Sequence, residues 1–353
     1  MDQVLIGPAV LTVSSKSHRL HNPVEPHMFD GVPLPPRENA ARVEVVLDAL
    51  RAGGLAGERE PTALDPMLLA RVHTPRYLEF LETAHARWRT MTGNDRTGEA
   101  RPFVRPMPGA DFTVPEPIFA QMGRYSNDTD PILAGTWEAA NAAAACAATA
   151  AGTVLSGEAG AAYALIRPPG HHAGPENFGG YCYLNNAAIA AELVAREGAR
   201  AAVLDVDAHA GNGTQAVFWH RCDILTVSLH VDPAVEYPYF QGHAHERGGG
   251  DGEGFNLNLP MDPGTEWARY EPVLHNACRR VVDFGPDVTI VALGVDTATE
   301  DGVLNLAGDD YRRLGARLAE IGRPAVLIQE GGYDLSVLGQ NVAAVIEGFE
   351  QTV

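Results

Sequence analysis

Basic residues are scarce in this chain of 353 residues: 26 Lys and Arg stand against 45 Asp and Glu, a formal net charge of −19. A surface of that sign repels polyanions, which argues against nucleic acid and anionic membranes as partners and favours cations. Cysteine is scarce too. Cys146, Cys182, Cys222 and Cys278 are widely spaced with no CxxC pair, so neither a disulfide framework nor a thiolate zinc site is indicated, and a reducing, cytoplasmic setting fits. No run approaches the roughly 18 apolar residues that span a bilayer. The opening MDQVLIGPAVLTVSSKSHRL has no basic stretch ahead of a sustained apolar one. Neither a membrane helix nor a secretory leader is expected.

What is present is the composition of a folded protein, 45% hydrophobic and 20% charged, with a length that one α/β domain over residues 1–353 accommodates. After Pro33, Pro35 and Pro36, the segment from Glu38 to Ala52 carries Val43, Val46, Leu47 and Leu50 at helical spacing, which predicts a surface helix. Residues 94–130 lack periodicity and read as a long loop, the kind that tends to be functional. An alanine-rich helix is expected from Leu133 to Ala151, ending at Gly152. From residue 161 onward short apolar runs alternate with helical stretches, the pattern of a parallel sheet. Strands are predicted at Ala161–Ile166, Ala201–Asp205, Asp223–Leu229, Val288–Leu293 and Ala325–Ile328, each running into a polar turn: RPPGHHAG, DAHAGNG, HVDP, GVDTATED and QEGGYD. Sites in parallel sheets lie at the carboxyl ends of strands, so these turns should converge.

Within LDVDAHAGNG, Asp205, Asp207 and His209 stand at i, i+2 and i+4, on one face of an extended backbone. With Asp296 past a neighbouring strand end, Asp207 and His209 make a set of two carboxylates and one imidazole, which suits catalytic zinc and leaves a position for water. Alone, such aspartates also serve as helix caps. His171 and His172 follow Arg167-Pro-Pro-Gly, a restricted backbone that presents both imidazoles rigidly for proton transfer. Asp205 and Asn212 are candidates to orient them. The glycines of Glu330-Gly-Gly-Tyr333 let a turn deliver a phenol towards a developing oxyanion, although a tyrosine there also packs as an ordinary surface aromatic.

Taken together, RPPGHHAGPENFGGYCYLNNAAIAA, LDVDAHAGNGTQAVFW, ALGVDTATED and QEGGYD resemble the zinc deacetylases: class II histone deacetylases and bacterial acetylpolyamine amidohydrolases. SHRLHNP, RVHTPRYLEFLE, PILAGTWEAA and EYPYFQGHAHERG extend the resemblance upstream and between, the last two closer to the acetylpolyamine branch. It implies an arginase/deacetylase fold with a parallel sheet of about eight strands flanked by helices. It also implies one Zn²⁺ on Asp207, His209 and Asp296, His172 as general base and acid, His171 as its electrostatic partner and Tyr333 polarising the carbonyl. Asp205 and Asn212 would orient the histidines, Gly180 would offer its carbonyl to the substrate amide, and Tyr181 and Tyr237 would line the tunnel. Asp205 and Ser228 match a structural potassium site. Three features depart from the family pattern. Ala210 replaces a second histidine, Asp301-Gly302 replaces Asp-Pro, and GADFTVPEPIFAQMGRYSND is unusually apolar although Asp111 and Glu116 are present, with Glu116 and Phe119 as the residues that would meet substrate from the long loop.

The reading is a zinc-dependent amidohydrolase acting on a small N-acyl amine such as an acetylpolyamine, with acetyl-lysine in proteins as the alternative substrate. A two-manganese ureohydrolase needs more bridging carboxylates than DVDAHAG supplies, and a non-catalytic relative would have lost a ligand or Tyr333. By the same resemblance, the long loop implies a homodimer.

Overall fold

Strand Ala161–Leu165 shows why the chain layers as it does: Ala162 and Ala164 join one core, while Ala161, Tyr163 and Leu165 join another on the opposite face. The period of two sends alternate side chains to opposite sides of a sheet, and a strand apolar on both faces requires helices on both. The computed structural model describes residues 10–29, 32–91, 98–106, 113–322 and 324–352.

The main sheet contains β1 (Val10–Ser14), β2 (Gly57–Arg59), β3 (Ala161–Leu165), β4 (Ala201–Asp205), β5 (Ile224–Val231), β6 (Asn256–Met261), β7 (Val288–Leu293) and β8 (Ala325–Gln329). Their order is β2-β1-β3-β8-β7-β4-β5-β6, and every neighbouring pair is parallel. This is the sheet of about eight strands that the resemblance implied. The five strands predicted from residue 161 onward are all present with ends shifted by at most two residues. The chain passes from β3 to β4 across the gap that β8 and β7 later fill, so four strands from distant parts of the sequence end side by side. That reversal of strand order is where parallel sheets open a crevice.

Helices α1 (Ala41–Ala52), α2 (Pro66–Val72), α3 (Pro75–Met91), α4 (Ile118–Tyr125), α5 (Thr136–Leu155), α6 (Asn186–Arg196), α7 (Asn212–Phe218), α8 (Trp267–Phe284), α9 (Asp309–Ala319) and α10 (Leu338–Thr352) complete the fold. Alanines line α5 and α6, and their small side chains let the two helices pack closely over one face of the sheet. Two helical expectations are corrected. The alanine-rich helix runs through Gly152 to Leu155, because its left-handed terminator is Gly157 (φ 75°). The stretch 94–130 is not loop throughout: α4 forms after Pro117, while residues 94–97 and 107–112, including Asp111, lie outside the described residues. Among the described residues no helix is long and apolar enough to cross a membrane.

Helices α9 and α10 approach so closely that a Cβ on Gly315 would sit 1.9 Å from the Val345 carbonyl oxygen, and one on Gly348 would sit 2.0 Å from that of Arg312. Backbone cannot yield cheaply. Gly315→Ala is therefore expected to destabilise the fold by about 1–3 kcal/mol despite alanine's better helix propensity. Urea unfolding measures this, and an unshifted midpoint would show that the helix pair is looser than described.

Candidate active site

The carboxyl ends of β3, β8, β7 and β4 deliver, in that spatial order, His171 and His172, Glu330 to Tyr333, Asp296, and Asp205 to His209. Backbone amides fix the acids. Asp207 N–H donates to Asp205 Oδ1 (3.1 Å), His209 N–H to Asp207 Oδ1 (2.9 Å), Ala208 N–H to Asp296 Oδ1 (3.0 Å) and Gly331 N–H to Asp207 Oδ2 (2.8 Å). One ligand atom from each of Asp207, His209 and Asp296 lies within 4.8 Å of the others, and His209 Nδ1 is 3.2 Å from Asp207 Oδ1 and 3.0 Å from Asp296 Oδ2.

Asp207 and Asp296 are each 1% exposed. Burial alone would raise Asp207, but the adjacent His171 and His209 hold it below the carboxylate range. Burial and then Asp207 push Asp296 upward. With Asp205 and Glu330 also buried here, carboxylates outnumber the imidazoles His171 and His209 among the described residues. A divalent cation would relieve that excess. Two carboxylate oxygens and an imidazole nitrogen fit zinc, and the set leaves a coordination position open. Behind this triad, His171, Cys182 and Glu330 also cluster, but Asp205 engages His171 Nδ1 and two backbone amides engage Glu330.

The tandem histidines are differentiated by their partners. His171 Nδ1 pairs with Asp205 Oδ2 at 2.9 Å, and its Nε2 lies 3.7 Å from Asp207 Oδ1. Burial opposes its charge, yet Asp207 and Asp205 outweigh burial and raise His171 to about 10. His172 Nδ1 meets Asn212 Oδ1 at 2.7 Å, and Asn212 Nδ2 donates to Gln241 Oε1 at 3.1 Å, which fixes the amide's orientation. The oxygen can only accept, so Nδ1 carries the proton and Nε2 is left as a base. Burial, followed by the charges on His171 and His209, holds His172 well below its ordinary value. Neighbouring groups whose environments drive them apart in this way divide acid and base roles.

The walls are aromatic. Tyr237 meets His172 edge-on at 4.8 Å, and Tyr181 meets Tyr333 edge-on at 5.5 Å. Gly180 must be glycine: its φ is 58°, and a Cβ would strike His172 Cδ2 at 2.2 Å. The arrangement can therefore bind a cation, accept a proton at His172 Nε2 and offer a phenol beside aromatic walls. Ser228 is in register with Asp205 across β4 and β5, and its Oγ is engaged with His230 Nδ1 at 2.7 Å.

Two expected substrate residues are not brought to the cleft by any described contact. Phe119 packs on the core and stacks with Phe103 at 5.7 Å. Glu116 is solvent-exposed, its carbonyl accepting from Gln121, because α4 turns this part of the loop back onto the body. Conversely, several contributors escaped sequence reasoning. Glu330 Oε2 accepts from Gly170 N–H (2.6 Å) and His171 N–H (3.1 Å), and burial pushes this acid up to about 7. Arg42 donates to the carbonyls of Glu330 and Gly332 and lies 4.7 Å from the Tyr333 ring. Asp128 accepts from Gly180 N–H (2.5 Å) and from the Tyr237 hydroxyl (3.2 Å), while Asp130 accepts from Tyr181 N–H. The only sequence signal for Glu330 was its place at a strand end. For the two aspartates it was a short SNDTD segment.

Comparison with known proteins points one way. Residues 36–349 match the histone deacetylase domain. The chain is 42% identical over 345 residues to "Acetylpolyamine amidohydrolase 1" of Pseudomonas aeruginosa, covering 97% of this chain and 99% of that protein. It is 38% identical over 340 residues to the acetylpolyamine amidohydrolase of Mycoplana ramosa, covering 95% and 98%. The crystal structure of an acetylpolyamine aminohydrolase from Burkholderia pseudomallei superposes with a TM-score of 0.89 at 39% identity, covering 97% of this chain and 99% of that one.

A Cβ on Gly331 would lie 2.4 Å from Asp296 Oδ2 and 2.6 Å from Asp207 Oδ2. Gly331→Ala should thus displace both carboxylates and weaken zinc binding by about 10- to 100-fold without removing a ligand. Competition against a chelating dye reads this directly. Unchanged affinity would mean these oxygens do not hold the ion.

Proposed function

Because this chain belongs to the histone deacetylase family, we propose that it removes the acetyl group from an acetylated polyamine, using the cleft at the ends of β3, β8, β7 and β4. It is a deacetylase, hydrolysing an amide C–N bond. The observation that carries the assignment of the cleft is the convergence of the Asp207–His209–Asp296 set, a His172 kept neutral and Tyr333 in one buried slot.

Asp207, His209 and Asp296 would hold one zinc ion, which when bound supplies Lewis-acid polarisation of the carbonyl and a more acidic water. His172 Nε2 takes the proton from the attacking water, helped by the Nδ1 contact to Asn212 that fixes its tautomer. The charged His171, anchored on Asp205, keeps that proton from settling permanently on His172. Tyr333 donates its phenolic hydrogen to the carbonyl oxygen as negative charge develops there. His172 then returns the proton to the amine nitrogen, and acetate and free amine separate. Tyr181 and Tyr237 exclude water from the aliphatic chain of the amine next to the amide, and the Gly180 carbonyl accepts from the amide N–H. The net charge of −19 favours encounter with a cationic amine.

Two finer inferences rest on the same reading. Asp205 and Ser228, adjacent across β4 and β5, would contribute to a structural potassium site. The exposed Phe103 and Phe240 support a homodimer formed through the segment that includes the long loop. Light scattering should give twice the chain mass, and exchanging potassium for a bulky organic cation should lower Tm. A monomer, or an unmoved Tm, removes the corresponding inference.

Purified zinc-loaded protein assayed on acetylated polyamines, acetyl-lysine peptides and small acylamino compounds should release acetate fastest from the polyamines. Tyr333→Phe should lower kcat about 100- to 1000-fold. Undiminished turnover in that variant would sink the mechanism, and a preference for the peptides would move the substrate to proteins.

A further inference from the structure

Tyr333 follows two consecutive glycines, and Gly332 has φ of 118°. Glycine gives a turn freedom as well as permission to bend, so the phenol's position needs restraints from outside the turn. Arg42 supplies one by binding the turn's carbonyls from below. A second set comes from elements remote in sequence. The Tyr333 N–H points at the Asp301 carboxylate, 3.3 Å from each oxygen, and Asp301 Oδ1 accepts from Arg37 Nη2 at 2.6 Å. The guanidinium of Arg37 lies 5.4 Å from the Tyr333 ring centroid, within cation–π range. Asp301 is 3% exposed and Arg37 45% exposed, so a nearly buried acid is held by a cation reaching in from the rim.

Both residues are themselves anchored. Asp301 closes the turn Thr299–Asp301, with its N–H on the Ala298 carbonyl and Gly302 in the left-handed region at φ 87°. Arg37 precedes Glu38, whose buried carboxylate pairs with Arg42 at 3.0 Å and Arg167 at 2.6 Å. The same short segment therefore grips the tyrosine turn twice, through Arg42 beneath it and through Arg37 at its rim.

We propose that Arg37 and Asp301 form a latch that sets the position of the Tyr333 phenol, making both positioning residues for the deacetylation although neither need touch substrate. The proposal rests on the assignment of Tyr333 as the hydrogen-bond donor to the carbonyl oxygen. A misplacement of about 1 Å at a reacting group can lower a rate by about a hundredfold, so loss of a half-exposed latch should cost kcat about tenfold and leave KM within about twofold.

The test measures kcat and KM with an N-acetylated diamine for wild type, Arg37→Ala, Arg37→Lys, Asp301→Asn and the double variant Arg37→Ala/Asp301→Asn. Each is made with Tyr333 and again with Tyr333→Phe, and bound zinc is measured throughout. The latch requires that Arg37→Ala and Asp301→Asn each lower kcat, that the double variant be no worse than the more impaired single one, and that Arg37→Lys recover part of the loss. It also requires that Arg37→Ala cost nothing further once the hydroxyl is gone in Tyr333→Phe. An equal loss in both backgrounds, a loss expressed through KM, or full kcat in every variant overturns it.

A readout independent of turnover separates this idea from the assignment beneath it. With 3-fluorotyrosine at position 333, the fluorine resonance should be single and narrow in wild type and should shift or broaden in Arg37→Ala and Asp301→Asn, with and without zinc. An unchanged resonance overturns the latch even if activity falls. Wild-type protein that releases no acetate while the resonance responds as expected overturns the functional reading and leaves the latch standing.

Discussion

Four carboxyl groups, from Asp205, Asp207, Asp296 and Glu330, are buried at the ends of three adjacent strands in the middle of the sheet, and their mutual repulsion organises what surrounds them. Burying like charges together is costly unless something of opposite sign is held among them. His171 takes charge for that reason, backbone amides are aimed at Asp205, Asp207, Asp296 and Glu330, and a zinc ion fits the three-ligand set. His172 stays neutral first because it is buried and then because the charged His171 lies beside it. Acid–base asymmetry between two neighbouring identical side chains thus arises from where the carboxylates lie. Glycine is the other half of the constraint. Gly294 and Gly331 leave room beside Asp207 that any Cβ would take, at 2.0 and 2.6 Å from its Oδ2.

Much of this was legible in the sequence because the strands that matter are apolar on both faces and end abruptly in polar turns. LDVDAHAG, RPPGHHAG and QEGGYD are local words, and each could be singled out because its residues stand two to four apart; the fold brings the three together. What escaped was either short or non-local. Strand β2 is three residues, GER, without an apolar pattern, and β6 alternates at an edge around Pro260, so neither stands out from loop. Helix α4 has eight residues hidden behind PEP. Arg42 looked like an ordinary charge near the start of a surface helix. Its burial comes from partners 288 and 290 residues away, a distance no window on the sequence can span.

The prominence of Phe119 and Glu116 in the sequence reading illustrates the same boundary. An apolar, acidic loop near a family signature invited assignment to the slot, but α4 buries Ile118 and Met122 and packs Phe119 against the body. The acids that do reach the walls, Asp128 and Asp130, lie nine residues or more beyond Phe119, where the chain crosses back beneath Gly180 and Tyr181. Composition drew attention to the loop, and only the fold showed which part of it meets the aromatic walls.

Asp128 joins Gly180 on one wall to Tyr237 on the other, and it belongs to neither of the loops that carry them. On the proposed mechanism, reactivity is written into four central strands, whereas admission would be set by three peripheral segments that meet at a single carboxylate. A descendant could change its diet by editing those segments one residue at a time, with the strand ends and their glycines left as they are. The fold keeps what can be inherited intact apart from what can be improvised.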